Sequence, residues 1–161
     1  MCKLILNSDS VTNSKCLILL FVEGTILRPK SWIHFFNMKE YIPTENSLEK
    51  IKGWKEQGAD IVYLTSRKDL ISVEQVKKIL IKYGFVGSFL YYRANQEEYK
   101  DIVAHIYPKI LIEDDCKSIG GTWQMCITHV EKSLKNEIIS VVVKEFGGLS
   151  LLPENLNELM R

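Results

Sequence analysis

The sequence predicts an α/β protein: a parallel sheet covered by helices on both faces, in a three-layer sandwich. Three observations predict it. Short apolar runs alternate with stretches of helical spacing across loops of a few residues. The runs are continuous rather than alternating, as in Leu17-Ile18-Leu19-Leu20-Phe21-Val22, the pattern of strands buried on both faces. Several runs stop abruptly at polar residues, at Glu23-Gly24-Thr25, Thr65-Ser66-Arg67 and Glu113-Asp114-Asp115.

The elements follow in order. Leu4-Ile5-Leu6 before Asn7-Ser8-Asp9-Ser10 reads as a frayed or edge segment, and residues 16–22 are the first strand. Residues 25–45 carry Pro29, Trp32, His34, Phe35, Phe36 and Tyr41 without clean periodicity, which suggests an ordered flap or minimal cap. A helix follows Pro43 to Ser47, with Leu48, Ile51 and Trp54 on one face and Gly58 as its stop. Ala59 to Leu64 is the second strand. Ser72 opens a second helix through Val73, Val76, Ile79, Leu80 and Tyr83, closed by Gly84. Phe89 to Tyr92 is the third strand, ending at Arg93. Asn95 and Glu97 precede a helix with Ile102, Val103, His105 and Ile106, broken by Pro108, and Ile110-Leu111-Ile112 is the fourth strand. Crossovers between parallel strands are expected to be right-handed.

Beyond Asp115 the pattern is weaker. Ser118 to Gly121 is a turn, Trp123 to Ile127 a short strand, and Ser133 to Phe146 a helix stopped by Gly147-Gly148. Within that last stretch Ile138 to Val143 is rich in β-formers. Pro153 to Met160 reads as a short terminal helix. Residues 1–161 are thus expected to form one domain, with 122–161 as a C-terminal extension.

Composition narrows the function classes. The chain has 161 residues, 46% hydrophobic and 25% charged, with a formal net charge of +1. No basic field favours nucleic acid and no acidic tail is present. The first apolar run is far shorter than the about 20 residues of a membrane span, and the N-terminus is a poor signal peptide. Neither a nucleic-acid nor a membrane partner is expected, and the cytoplasm is. Cys2, Cys16, Cys116 and Cys126 form no CxxC pair, so free thiols are the reading rather than a zinc site.

In an open α/β sheet the carboxyl ends of the strands form the ligand crevice. Parallel strands bring the three polar clusters to that edge. Carboxylates, a hydroxyl beside backbone amides and a glycine that permits close approach together suit Mg²⁺ and a phosphate.

At these residues the chain resembles the haloacid dehalogenase superfamily of phosphohydrolases, in particular its small nucleotidase-like members, whose sheet is Rossmann-like. Their first motif is an apolar strand ending in Asp-x-Asp-Gly-Thr, matched by Phe21-Val22-Glu23-Gly24-Thr25. Their second is a strand ending in Thr or Ser, matched by Thr65-Ser66. Their third is a lysine near a helix start, for which Lys100 is best placed. Their fourth is a strand ending in paired acids, matched by Glu113-Asp114-Asp115. The resemblance spans about residues 16–121.

The resemblance implies covalent catalysis. The first motif's leading aspartate attacks phosphorus and its second acts as acid and base. Mg²⁺, held by the fourth motif, offsets charge. It assigns Glu23 and Lys100 as catalytic groups, Gly24, Thr65, Ser66 and Lys100 to the phosphate, and Asp114 and Asp115 to the metal. A small phosphorylated molecule is the expected ligand. A small cap implies an open site, used on a bulky substrate or covered by another subunit in a homo-oligomer. Arg67 and Arg93, which also follow strand ends, are further sources of positive charge.

The first motif departs from this pattern. Phe21 stands where the nucleophile belongs and can neither ligate Mg²⁺ nor form an acyl-phosphate. Glu23 keeps a carboxyl but extends it by one methylene, about 1.5 Å. The first expectation is therefore a phosphohydrolase fold with impaired catalysis that retains a phosphate- and Mg²⁺-type crevice. The alternative is an active Mg²⁺-dependent phosphomonoesterase or nucleotidase.

Overall fold

The computed structural model describes residues 1–6, 16–34, 37–94 and 96–161. Asn7 to Ser10, Phe35, Phe36 and Asn95, used in the sequence reading, lie outside these residues. β1 (Cys2–Ile5) and β2 (Leu17–Phe21) are followed by a small antiparallel pair, β3 (Leu27–Pro29) and β4 (Tyr41–Pro43), with 3-10 turns at Trp32–His34 and Met38–Glu40 between them. Then come α1 (Ser47–Glu56), β5 (Asp60–Leu64), α2 (Leu70–Tyr83), β6 (Phe89–Tyr92), α3 (Tyr99–Ile106) and β7 (Ile110–Asp114). α4 (Cys126–His129), α5 (Lys132–Lys135), β8 (Ile139–Val143) and α6 (Leu156–Leu159) complete the order.

The main sheet has six strands in the order β1-β6-β5-β2-β7-β8. β1 is an antiparallel edge on β6, and the remaining neighbours are parallel. β2 is central, with Leu20 beside Tyr63 on one flank and Ile112 on the other. The two-residue period of the strands splits the core into two layers. Ile18, Leu20, Ile61, Tyr63, Ile110 and Ile112 face α1, α2 and the C-terminal segment, around the fully buried Trp54. Leu19, Val62, Leu64 and Leu111 face α3 and α4. This is the expected α/β sandwich.

Local chemistry sets the helix ends. α2 begins two residues before the expected Ser72, because the Asp69 side chain accepts the Ser72 amide at 2.8 Å and caps the first turn. Gly84 closes it at φ +79°, in the left-handed region. The Glu98 amide donates to Asp101 Oδ2 at 2.8 Å at the start of α3.

The C-terminal region corrects two expectations. Residues 123–127 are not a strand: a 3-10 turn at Gly121–Gln124 runs into α4. The expected helix over 133–146 is instead the short α5 followed by strand β8, paired in parallel with β7 from Ile110↔Ile139 to Asp114↔Val143. The β-branched run loses side-chain freedom in a helix, and the backbone edge of β7 needs partners. Among the described residues no helix is long and apolar enough to cross a membrane.

Candidate functional site

The site is assembled at the carboxyl edge, from the ends of β2, β5, β6 and β7 and the turn after β8. Phe21 is the last residue of β2. Its half-buried ring meets Tyr99 edge-to-face, with centroids 5.1 Å apart, and the Arg93 guanidinium lies 3.8 Å from the Tyr99 ring centre. Burial pushes the Tyr99 phenol up to about 12, against the opposing influence of Arg93. The chain then turns tightly. Ile26 and Leu27 amides donate to Val22 O at 3.0 and 2.9 Å, and Gly24 N donates to Leu27 O at 3.0 Å. Gly24 has φ +85°, and a Cβ there would lie 2.5 Å from Asp114 Oδ1, so only glycine lets the turn approach that carboxylate.

Glu23 reaches across to β5. Its Oε1 accepts the Thr65 hydroxyl at 2.6 Å, and its Oε2 accepts the Ser66 amide at 2.9 Å. Arg67 Nε stands 3.7 Å from Oε1. Thr65 is fully buried, and its Oγ1 also accepts the Arg67 amide at 3.2 Å.

The fourth-motif acids are each held by the chain itself. Buried Glu113 accepts the Cys126 and Ile127 amides at 2.6 and 2.9 Å, fixing the start of α4. Burial raises its carboxyl pKa despite those two bonds. Asp114 accepts Thr25 Oγ1 and the Cys116 amide, each at 3.1 Å, and burial likewise raises it. Asp115 Oδ1 accepts the Glu145 amide at 3.1 Å. Glu145 in turn takes the Ser118 hydroxyl and amide at 2.6 and 2.7 Å.

Ligand oxygens of Asp114, Asp115 and Glu145 all lie within 4.8 Å of one another. Such an all-oxygen set fits a hard divalent cation such as Mg²⁺, and a cation there would offset the desolvation that disfavours the Asp114 carboxylate. Glu145 is absent from the sequence reading. It lies 30 residues beyond Asp115 and is brought alongside by the β7–β8 register. A strand over 139–143 would have pointed to it.

A cavity of about 430 Å³ opens between these groups. Glu23, Gly24, Ser66 and Asp114 line it, together with Phe21, Arg67 and Arg93. Thr65 lies behind Glu23, and Asp115 joins through the acidic set. Lys100 is not among the lining residues. Tyr99 takes the inward place at the start of α3, and the next residue is rotated by about 100° around a helix. The Lys100 ammonium is partly exposed and pairs with Glu98 at 2.6 Å, beside an adjoining hollow of about 260 Å³ that shares Arg93, Tyr99 and Gln124 with the crevice. The cationic side chains that face the crevice are Arg67 and Arg93. Cys116 also lines it, but burial raises its thiol to about 12, so it is held as the neutral thiol at neutral pH.

No protein-family model and no curated protein matches the sequence. Solved structures do match in fold. A chain of the Pnkp1/Rnl/Hen1 RNA repair complex aligns over 86% of this chain and 45% of that one, with TM-score 0.60 and 16% identity. A chain from a second structure of the Pnkp1/Rnl/Hen1 complex aligns over 86% of this chain and 51% of that one, with TM-score 0.56 and 14% identity. The fold is haloacid dehalogenase-like. The chain spans about half the length of these two matched chains. D,D-heptose 1,7-bisphosphate phosphatase from Burkholderia thailandensis aligns over 83% of this chain and 94% of that one, with TM-score 0.47 and 12% identity.

Proposed function

We propose that this is a phosphohydrolase-fold domain that binds a small phosphorylated molecule in the β2–β5–β7 crevice and does not turn it over by an aspartyl-phosphate route. The observation that carries this reading is Phe21. A phenyl ring packed on Tyr99 stands at the strand end where the fold's chemistry requires a carboxylate. What supports retained binding is the remainder of the crevice: the buried Thr65 hydroxyl and the Ser66 turn amide, both now donating to Glu23, two arginines and an oxygen-rich acidic set. Asp114, Asp115 and Glu145 would hold Mg²⁺, which would supply charge neutralisation for a phosphoryl group. Gly24 would let the first turn approach the same point.

The test is phosphate release from p-nitrophenyl phosphate and a nucleotide panel with Mg²⁺. No release above background is expected. Metal-dependent release that disappears in Asp114→Asn would overturn the reading in favour of an active phosphomonoesterase.

A further inference from the structure

Two of the groups that the resemblance assigns to phosphate, Thr65 and Ser66, already hold an anion. Thr65 Oγ1 and the Ser66 amide both donate to the Glu23 carboxylate, at 2.6 and 2.9 Å. The extra methylene of glutamate supplies the reach. Yet the carboxylate does not satisfy the seat. Both its oxygens are used, while buried Arg67 Nε stays 3.7 Å away with no hydrogen-bond partner among the described residues. Arg93, another residue lining the cavity, also has a buried Nε without a hydrogen-bond partner among them. A carboxylate offers two oxygens in a plane. A tetrahedral oxyanion offers more, in directions a carboxylate lacks.

We infer that Glu23 is an internal competitor: its carboxylate occupies an oxyanion seat built from Thr65, Ser66 and Arg67, and a phosphate ligand binds by displacing it. The inference rests on the phosphate-binding reading above and adds the group that gates it. The consequence is opposite in sign to a role for Glu23 in holding or activating the ligand. If the seat is free only in a fraction of molecules, the apparent affinity falls by that fraction. Removing the competitor therefore strengthens binding.

The experiment is isothermal titration of the full chain with inorganic phosphate in EDTA, with the fold of each variant checked by circular dichroism. Glu23→Ala is expected to bind at least about tenfold more tightly than the unaltered chain. Glu23→Gln, which keeps the shape but cannot accept both donors, is expected to gain less. Glu23→Asp keeps the charge and withdraws it by about 1.5 Å, and it too is expected to gain. Adding Thr65→Val to Glu23→Ala is expected to abolish the gain.

Equal or weaker binding in Glu23→Ala overturns the inference. A gain in Glu23→Ala and Glu23→Gln without one in Glu23→Asp also overturns it, because charge repulsion alone then accounts for the effect. No phosphate binding in any variant overturns both this inference and the binding reading. Mg²⁺-dependent turnover by the unaltered chain removes only the claim of impaired catalysis and leaves the order of affinities to decide the role of Glu23.

Discussion

β2 and β7 run side by side in register, Leu20 beside Ile112, and end at the same edge, but their ends are built differently. At the end of β7 every acid has a bonding partner within the chain. Glu113 fixes α4, Asp114 holds Thr25 and the Cys116 turn, and Asp115 ties to the turn after β8. At the end of β2 the corresponding position carries a ring in van der Waals contact with Tyr99. The difference teaches that acids at the carboxyl edge of such a sheet have structural work independent of chemistry. Buried donors left without acceptors cost about 1–3 kcal/mol each, so the β7 acids are costly to lose even where turnover is absent. An intact acidic motif is therefore weak evidence for catalysis, and the reading proposed above rests on Phe21 instead.

The contact that joins the two ends gives the largest expected effect. In Gly24→Ala the new methyl meets the buried Asp114 carboxylate at 2.5 Å on a backbone at φ +85°. Asp114 is held at both oxygens and cannot swing aside freely. Strain and overpacking together should cost about 3 kcal/mol or more, read by urea denaturation. A variant as stable as the parent would show that the two ends are not mechanically coupled.

Phe21→Asp makes the β2 end resemble the β7 end. It loses the edge-to-face contact with Tyr99 and places another carboxylate in a crevice that already holds Glu23 and Asp114. A loss of about 2–4 kcal/mol is expected in EDTA. Part of it should return with Mg²⁺, since a ligand that binds only the folded state stabilises it. Thermal melts with and without Mg²⁺ read both. If Mg²⁺ restores nothing, Asp114, Asp115 and Glu145 are not a cation site.

Much of this architecture was legible in the sequence, and the exceptions have physical causes. Continuous apolar runs gave the central strands, and their polar stops located Glu23, Thr65, Ser66 and Asp114 at one edge, because parallel strands leave no other arrangement. β8 was missed since it is an edge strand with alternating burial and polar neighbours, which weakens the signal of a buried run. Glu145 was missed with it. Lys100 stands beside the crevice rather than in it: spacing along the chain does not reveal which residue of a helix's first turn faces inward, and here that residue is Tyr99. That is decided by the Phe21–Tyr99–Arg93 packing.

Glu113→Gln tests the structural half of the comparison on its own. An amide can accept from only one of the Cys126 and Ile127 N–H groups through its oxygen, and its NH₂ opposes the other. A loss of about 1–3 kcal/mol is expected. Hydrogen exchange should quicken at the Cys126 and Ile127 amides and stay slow in β2 and β5. Uniform acceleration across the sheet would mean that Glu113 supports the whole edge rather than α4.

The smallest effect is expected where the β2 end is filled rather than bonded. Tyr99→Phe keeps the ring against Phe21 and under Arg93, so stability at neutral pH should change by no more than about 0.5 kcal/mol. The pH dependence separates the two residues. Burial raises the Tyr99 phenol to about 12 in the folded chain, against about 10 when unfolded. The folded state therefore holds this proton where the unfolded state has released it. The resulting stability is fully present below the unfolded value and is lost as pH rises through the folded one, with a slope of at most about 1.4 kcal/mol per pH unit. Denaturation across the alkaline range should show that loss reduced in Tyr99→Phe, and phenolate absorbance should lose one late-titrating tyrosine. An identical alkaline profile in the variant would mean that the Tyr99 hydroxyl is open to water, and that the ring packing at the end of β2 is looser than the bonded acids beside it.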